Sequence, residues 1–454
     1  MSNVLRGLLG TEAYASQRFT AIRRRVFYQY PAGAAPLIGL LSVVNKDKPL
    51  NDPEFSIFEK RYILRVDSTA AAGGTANGPF GTVAGPNTPL STGADTVLSS
   101  TTDYYLNLNS TQYFRQDNTI MVRTVSNTAL TANPDLLFRV TSVVSATILQ
   151  VRPLINGVVV GNGSGVNIGN QVAVIGSAYR QGSFGGTQAG YNLPVNIMNA
   201  TQIWKTAMSF TRTEQKTGGL KFDETGIYRD RAKECALEHM VDLERSLLFG
   251  DFSKDVDPTS GLPLYTTRGI QGYLQLWENG TTYGNTPAML NSDDNKRIIN
   301  INGNISYKSY LQYLERVFRV TSNTANEKFV LCGNGFLMQL NQMYEGRSVT
   351  QVAMPNKASE FGQDIVGHKT EFGTVWYKTH PLFNADPSLR YDGLFLDLPN
   401  IIYRPLQDSD TQRQVHIEPN DADFRTDQYI TEAGFELRMP ESNMWLRGIT
   451  GVAR

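Results

Sequence analysis

An excess of charge of either sign is missing from this 454-residue sequence, in which 42 Lys and Arg residues balance 42 Asp and Glu residues. A chain without net charge has no global field that would draw it to nucleic acid or to an anionic membrane surface. Cysteine is also scarce. We interpret Cys235 and Cys332 as buried small hydrophobes rather than as a disulfide or a redox pair, which suits a reducing compartment.

Long apolar runs are absent as well. The most apolar segment near the N-terminus, residues 34–44, is about half as long as the roughly 20 residues that a membrane-spanning helix needs. No basic region leads into it and no cleavage site follows, so we expect neither a signal peptide nor a membrane partner.

Catalytic signatures are missing too. The histidines belong to no HExxH or comparable motif, and no GxSxG occurs. The segment 161–169 (GNGSGVNIG) lacks the Lys-Ser/Thr ending of a phosphate loop and opens no helix, which favours a β-turn. An acidic run could offer oxygen ligands to calcium but does not match an EF-hand loop, so we interpret it as solvated. The histidines are His239, His368, His380 and His416. The acidic run consists of Asp408, Asp410, Glu418, Asp421, Asp423 and Asp427.

One catalytic arrangement stays open, because the two carboxylates of a glycosidase pair in space rather than in sequence. Nothing in the sequence points to such a pair. We therefore expect that the protein is not an enzyme, and we assign no catalytic, cofactor-binding or metal-binding residues and no cofactor.

The strongest helical pattern runs from Asp223 to Gly250. Apolar residues recur there at spacings of three and four, which predicts one long helix with a single buried stripe. Asp223 is the expected N-cap, and Gly250 is expected to end the helix in the left-handed conformation. The predicted stripe consists of Tyr228, Ala232, Cys235, Ala236, His239, Met240, Leu243 and Leu247.

A second feature is a module of unusual composition. Between Ser68 and Leu193 there is no Lys and no Glu, and short β-type runs such as TIMVRTV and TILQVRPL follow one another at about ten-residue intervals. This spacing predicts a small antiparallel barrel or sandwich. Strand-like segments at 54–67 and 194–213 flank the module, so we interpret it as an insertion at the tip of a long hairpin.

The remaining sequence predicts an α+β fold. A helix is expected at Tyr307–Val320 with Ser306 as its N-cap, then a buried strand, a third helix ended by Gly346, and several strands up to the C-terminus. Residues 1–52 resemble an arm with a basic cluster at Arg18, Arg23, Arg24 and Arg25. A solvated helix face explains this cluster better than contact with an acidic neighbour or packaged nucleic acid.

The order of arm, loop, long helix and α/β region resembles that of a known family, and so do several short sequence segments. The segments NATQIWKTAMSFTRTEQ, ERSLLFGDFS, TTRGIQGYL, FVLCGNGF and TEAGFELRMPESNMWLRGITG are similar to major capsid proteins of tailed double-stranded-DNA bacteriophages, which have the Hong Kong 97-type capsid fold that encapsulins also have. The similarity is to the subfamily that carries a β-rich insertion in its extended loop.

The resemblance implies a domain order. Residues 1–52 would be the N-terminal arm, and 53–213 the extended loop with the insertion 68–193. Residues 214–260 would contain the spine helix of the peripheral domain, 261–434 the axial domain, and 435–454 the returning strands of the peripheral domain. The implied function is self-assembly into pentamers and hexamers of an icosahedral shell around phage double-stranded DNA.

The resemblance also implies partners and a location. Besides further copies of the chain, these are a scaffolding protein, a portal, a decoration protein and non-specific packaged double-stranded DNA on the inner face. The shell would form in the bacterial host cytoplasm and persist in the virion. Some relatives cross-link a loop lysine to a neighbour's asparagine with help from a glutamate, but here no Lys lies between Lys60 and Lys205 and no Glu between Glu59 and Glu214.

Two alternatives from other classes remain at this stage. A glycan-binding adhesin or tail protein would use the β-rich module and form trimeric fibres. A hydrolase with a β accessory domain would show a cleft with perturbed carboxylates.

Overall fold

The computed structural model of the protein describes residues 35–37, 49–60, 65–70, 80–82, 85–89, 96–123, 135–156, 158–160, 169–183, 186, 193–216, 227–279, 296–320, 326–344, 351–353 and 366–453. The basic cluster of the arm, most of the glycine-rich segment 161–169, Asp223 and Gly346 lie outside these residues. The predictions made for them therefore stay predictions.

Within the described residues the fold is α+β, which confirms the predicted class. The helices are α1 Arg212–Lys216, α2 Ile227–Phe249, α3 Ile270–Asn279, α4 Tyr307–Arg319, α5 Asn334–Tyr344 and α6 Pro381–Ala385, with 3₁₀ turns at Leu398–Asn400 and Pro440–Ser442. The long helix and the helix after Ser306 were both predicted. Ser306 caps α4 by accepting a hydrogen bond from Ser309 N at 3.2 Å.

The strands of the first half are short, as the regular turn spacing predicts. They are β1 Glu54–Glu59, β2 Val66–Ser68, β3 Phe80–Thr82, β4 Gly85–Pro89, β5 Thr96–Leu98, β6 Tyr104–Asn107, β7 Asn118–Arg123, β8 Asp135–Val143, β9 Ile148–Pro153, β10 Val158–Val160, β11 Gln171–Ser177 and β12 Val195–Ala200.

The strands of the second half include the longest in the described chain. They are β13 Gln202–Thr211, β14 Ser253–Val256, β15 Pro263–Thr266, β16 Ile298–Ile305, β17 Glu327–Cys332, β18 Gln351–Ala353, β19 Val366–Lys369, β20 Thr374–Thr379, β21 Gly393–Leu396, β22 Ile401–Pro405, β23 Gln412–Gln414, β24 Phe424–Leu437 and β25 Met444–Val452.

Two compact units divide the chain. The core unit comprises Met1–Phe55, Asn199–Tyr273 and Asn300–Arg454, and the inserted unit comprises Ser56–Met198 and Leu274–Ile299. Strands β1 and β12 pair with each other as a two-stranded sheet.

The inserted unit is built on an eight-stranded antiparallel sheet in the order β2-β11-β7-β8-β9-β6-β3-β4. The ends of β6 and β2 also meet, because Ala70 N donates to Asn107 O at 2.9 Å and Asn109 N donates to Ser68 O at 3.1 Å. Six strands thereby form a closed ring around a buried cluster that includes Leu106, Phe138 and Val151. The choice between a barrel and a sandwich stays a prediction.

The core unit contains a four-stranded antiparallel sheet on which α2 packs. β13 pairs with β24 along all ten of its residues, β22 pairs with the end of β24, and β23 pairs with its middle. The sequence of β13 alternates, so Trp204, Met208 and Phe210 are buried while their neighbours face outwards. Met208 and Phe210 contact Ala232 and Cys235 of α2.

The second sheet of the core unit has seven strands in the order β16-β25-β21-β17-β20-β19-β18. β17 and β20 are parallel, and β17 is buried along Lys328–Cys332, as expected for a strand covered on both faces. The last strand, β25, pairs with β21, and the ring of its Trp445 lies 5.6 Å from that of Phe249 at the end of α2. The return of residues 435–454 to the peripheral domain stays a prediction. The expected division at residues 434 and 435 falls inside β24, which continues to Leu437.

Glycine is required where α2 ends, but not for the predicted reason. Gly250 has no left-handed backbone, so that prediction is wrong. A Cβ atom on Gly250 would lie 2.5 Å from Ser246 O, and one on Gly269 would lie 2.4 Å from Leu247 O. The segment that follows β15 therefore crosses the end of α2 at backbone contact distance, with Gly269 N donating to Gly250 O at 2.9 Å.

We expect Gly269→Ala to lower the free energy of unfolding by about 1–3 kcal/mol, because the new methyl group would overlap two backbone carbonyl oxygens. Urea unfolding of the purified variant measures this change. Gly303→Ala is the matched control, since the nearest atom to its Cβ, Ile301 O, is 3.8 Å away. Equal losses in the two variants would contradict the close packing at the helix end.

Candidate functional site

The helix α2 is the element around which the core unit is organised, and its buried face differs in part from the predicted stripe. Ala232, Cys235, His239, Leu243 and Leu247 are buried, as predicted. Met240 is 38% exposed, so its place in the stripe is wrong, and Glu244 and Leu248 are buried instead.

Helix geometry explains the difference. Met240 lies about 60° around the helix from Leu243, and Glu244 lies about 100° around it on the same side. That side is uncovered near Leu237 and Met240 but covered one turn later, at Glu244 and Leu248. The buried arc of α2 therefore widens towards its C-terminal end, where the arm and α6 contact it.

His239 joins the middle of α2 to two strands of the sheet. Its Nδ1 atom lies 2.9 Å from the hydroxyl of Thr206 on β13, and its Nε2 atom lies 2.8 Å from the hydroxyl of Thr431 on β24. Thr431 donates its own proton to Thr411, so it accepts from Nε2–H, and Nδ1 accepts from Thr206. Burial lowers the pKa of His239, which keeps the ring neutral and suited to this pattern.

Glu244 joins the end of α2 to two other segments at one buried point. Its Oε1 atom accepts from Leu37 N at 3.0 Å and from His380 Nε2 at 2.7 Å, and the side chains of Glu244 and His380 are fully buried. His380 also caps α6, because its Nδ1 atom accepts from Leu382 N at 3.1 Å. The arm residue Leu37, the long helix and α6 are thus held together by one carboxylate.

A third polar cluster lies near the start of α2. The buried carboxylate of Asp427 on β24 accepts hydrogen bonds from Tyr228, Arg413 and Arg425, and from His416 N at 3.0 Å. The guanidinium of Arg425 stacks over the Tyr228 ring at 4.5 Å, and that of Arg413 lies 5.4 Å from it. Burial opposes ionisation of Asp427, but the hydrogen bonds outweigh it and lower the pKa to about 2.

We expect this carboxylate to stabilise the fold at neutral pH and to lose its effect in acid. Because the folded pKa lies below the ordinary value near 3.9, the contribution is complete above about pH 4 and is lost as pH falls through about 2. The difference in unfolding free energy between wild type and Asp427→Asn should therefore shrink over that window. A difference that stays constant between about pH 5 and pH 2 would contradict this assignment.

Asn199 fixes the point where the chain returns from the inserted unit. Its Nδ2 atom donates to Phe435 O at 2.7 Å and to the Tyr273 hydroxyl at 3.1 Å, and its Oδ1 atom accepts from Arg268 N at 2.8 Å. One fully buried amide therefore ties β12 to β24 and to the start of α3. Sequence reasoning missed it, because a single Asn within a strand carries no signal of its partners.

The residues that the sequence singled out as possible ligands or catalysts do not come together. His239, His368 and His380 are buried in separate places, and His416 is exposed, 3.2 Å from Glu418. Of the acidic run, Asp427 is held by arginines, Asp410 accepts from Tyr403, and Asp421 and Asp423 are exposed. In the described part of the chain, no three His, Cys, Asp or Glu side chains converge as metal ligands would.

An open groove of about 960 Å³ lies where α2 ends beside α6. Arg245, Phe249, Leu382 and Leu389 are among its lining residues, and the lining contains no histidine or cysteine. Across the described ranges, no helix is both long enough and apolar enough to cross a membrane. Where it is described, the core unit is marked instead by three buried polar clusters that fix α2, at Asp427, His239 and Glu244.

The comparison with protein families identifies the class of the protein. The family model of the SU10 major capsid protein matches residues 40–450. The chain therefore belongs to the SU10 major capsid protein family, and it is a structural protein of a phage capsid. The resemblance to major capsid proteins of tailed phages is confirmed, and the adhesin and the hydrolase are set aside.

Solved structures give more distant similarities. The capsid of cyanophage A-1(L) is 12% identical over 60% of this chain and 85% of that chain, with a TM-score of 0.37. Mycobacterium phage Patience is 9% identical over 61% of this chain and 79% of that chain, with a TM-score of 0.38. The SrpI encapsulin of Synechococcus elongatus PCC 7942 is 8% identical over 58% of this chain and 79% of that chain, with a TM-score of 0.36. No curated protein sequence matches the chain.

Proposed function

We propose that copies of this chain assemble as pentamers and hexamers into a closed icosahedral shell that encloses double-stranded DNA in a tailed phage. The observation that carries the proposal is the capsid family match, which extends over residues 40–450 and so includes both units. Head-to-tail contacts whose rotation closes give rings, and rings of five and six subunits can curve into a shell.

The geometry of the core unit suits such a building block. A subunit that repeats many times must keep its shape, and α2 is fixed at its start by Asp427, in its middle by His239 and near its end by Glu244. The first two join the helix to the sheet of β13 and β24, and the third joins it to Leu37 and α6. A rigid helix of 23 residues, about 35 Å long, can then hold the contact surfaces on opposite sides of the subunit at a fixed distance and angle.

The domain order implied by the sequence is part of the proposal. Residues 53–213 would reach over a neighbouring subunit, with the inserted barrel at the tip, and the α/β part within 261–434 would surround the five-fold and six-fold centres. Scaffolding, portal and decoration proteins are the expected partners besides further copies. Assembly would take place in the bacterial host cytoplasm, with packaged DNA held non-specifically at the inner face.

Sedimentation of the protein expressed in bacteria, with and without the scaffolding protein of its phage, tests the proposal. We expect particles that sediment far faster than the 50.3-kDa chain in at least one of the two preparations. Slow sedimentation as monomers or small oligomers in both preparations, and after a screen of salt and pH, would refute assembly into a shell.

We also expect the shell to be held by non-covalent contacts alone. The tip of the loop lacks the lysine nucleophile and the glutamate base that an isopeptide cross-link requires, since both residue types are missing between Ser68 and Leu193. Purified shells boiled in detergent should run as single chains near 50.3 kDa on a denaturing gel. A ladder of covalent multimers that survives a reducing agent would contradict this prediction.

A further inference from the structure

Within the described residues, an asparagine precedes a glycine at two places, Asn302–Gly303 and Asn334–Gly335. Such a pair is chemically reactive, because the backbone nitrogen of the glycine can attack the side-chain amide of the asparagine and no Cβ atom shields that nitrogen. The attack requires that the amide reaches the nitrogen in the right geometry. The fold around the two pairs therefore decides which of them reacts.

The pair Asn334–Gly335 is held in place. Asn384 Nδ2 donates to Asn334 Oδ1 at 3.1 Å, and Asn334 N donates to Asn384 Oδ1 at 2.7 Å. Gly335 lies in the first turn of α5, where an added Cβ atom would lie 2.7 Å from the Tyr391 ring. The side-chain amide of Asn334 cannot turn towards the next nitrogen without losing these contacts.

The pair Asn302–Gly303 is in a more open place. It lies in β16, which is an edge strand of the seven-stranded sheet. Asn302 is exposed and has a φ of 46°, a left-handed value that interrupts the regular ladder of a strand. The nearest atom to a Cβ on Gly303 would be Ile301 O, 3.8 Å away, so the space beside this glycine is free.

We propose that Asn302 is a site of spontaneous deamidation in the folded protein, with the Gly303 backbone nitrogen as the nucleophile. This nitrogen loses its proton to hydroxide and attacks Cγ of Asn302, the carbon–nitrogen bond of the side-chain amide breaks, and ammonia leaves. Water then opens the cyclic imide at either of its two carbonyl carbons. The product is aspartate or isoaspartate at position 302, and the only co-reactants are water and hydroxide.

The place of Asn302 in the sheet gives the reaction a structural consequence. The backbone of β25 passes directly against it, because a Cβ atom on Gly448 would lie 2.5 Å from Asn302 Oδ1. A Cβ atom on Gly451 would likewise overlap Asn304 Oδ1. Isoaspartate places one additional carbon in the main chain of β16, which displaces Asn304 relative to Gly451. The modification therefore loosens this edge of the sheet.

Mass spectrometry of the purified 454-residue chain tests the proposal. The folded protein is kept in mildly alkaline buffer, where hydroxide removes the amide proton more readily, and samples are digested at intervals. Deamidation raises the peptide mass because OH replaces NH₂. We expect it at Asn302 about tenfold or more faster than at Asn334, because only the first amide can reach its attacking nitrogen. Equal rates at the two sites, or a faster reaction at Asn334, would overturn the proposal.

The same incubation in concentrated guanidinium chloride shows whether the fold causes the difference. Unfolding exposes both Asn-Gly pairs alike, so the reaction at Asn334 should accelerate until the two rates are similar. If the ratio of the two rates is the same in folded and unfolded protein, the neighbouring sequence sets it, and the structural assignment is wrong.

Gly303→Ala tests the role of the nucleophile. The added methyl group shields the attacking nitrogen, and the free space beside Gly303 accommodates it. Deamidation at Asn302 should therefore fall about tenfold or more, while the urea midpoint stays near that of wild type. An unchanged rate at Asn302 in this variant would overturn the proposal. If the variant does not fold, the comparison of folded and unfolded wild type decides.

Discussion

Leu243→Asp is expected to abolish soluble, folded protein. Leu243 is 1% exposed and lies one turn after His239, whose ring contacts Thr206 of β13 and Thr431 of β24. An aspartate there must lose its hydration without gaining a partner, which costs several kcal/mol against a total stability of about 5–15 kcal/mol. Soluble yield and circular dichroism of the purified variant measure the effect.

Two substitutions at exposed positions of the same helix serve as controls. Glu238→Ala should cost less than about 0.5 kcal/mol, because Glu238 is exposed. Met240→Asp should also leave soluble protein, although the periodicity alone assigned Met240 to the stripe, because the side chain is 38% exposed. Equal yields of all three variants would show that the helix does not pack on the face described.

Glu244→Ala is expected to have the second large effect. Its removal leaves Leu37 N–H and His380 Nε2–H without their acceptor in a fully buried place. Removing one partner of a buried polar pair typically costs about 3–5 kcal/mol, so the urea midpoint should fall sharply. Glu244→Gln, which keeps an acceptor oxygen, should lose less.

A double-mutant cycle with His380→Ala tests whether the two residues act as a unit. The loss in Glu244→Ala with His380→Ala should be smaller than the sum of the two single losses, because the second change removes a group that the first already left unpaired. Additive losses would contradict the pairing. Glu238→Ala again serves as the exposed control.

Local patterns in the sequence predicted the elements that depend on local physics. The long helix, the Ser306 cap and the composition break at the inserted unit all follow from periodicity, capping chemistry or residue usage over short windows. Capsid family membership was also predictable, because several short sequence segments resemble those of the family.

Features that depend on distant contacts were not predictable in the same way. Glu244 is charged and lies beside the stripe, so no periodicity rule places it in the core until His380 and the arm are known to meet it. The pairing of β25 with β21 joins segments that any strand pattern could join differently. Gly250 was correctly taken as the end of the helix, but its cause is a backbone that crosses from Gly269.

In the candidate site, too, local features were predictable from the sequence and distant contacts were not. His239 was visible as a polar residue on an apolar stripe, whereas the two threonines that complete its hydrogen bonds come from strands far along the chain. Asp427 was visible only as one member of an acidic run. Its fixation by Tyr228 and two arginines depends on the register of β23 and β24.

Cryo-electron microscopy of the purified particles tests the central claim most directly. We expect closed icosahedral shells in which five copies of the chain surround each vertex and six copies form each of the other rings, with α2 as one continuous rod in every copy. Only monomers, slender trimers or open fibres under every assembly condition would contradict it.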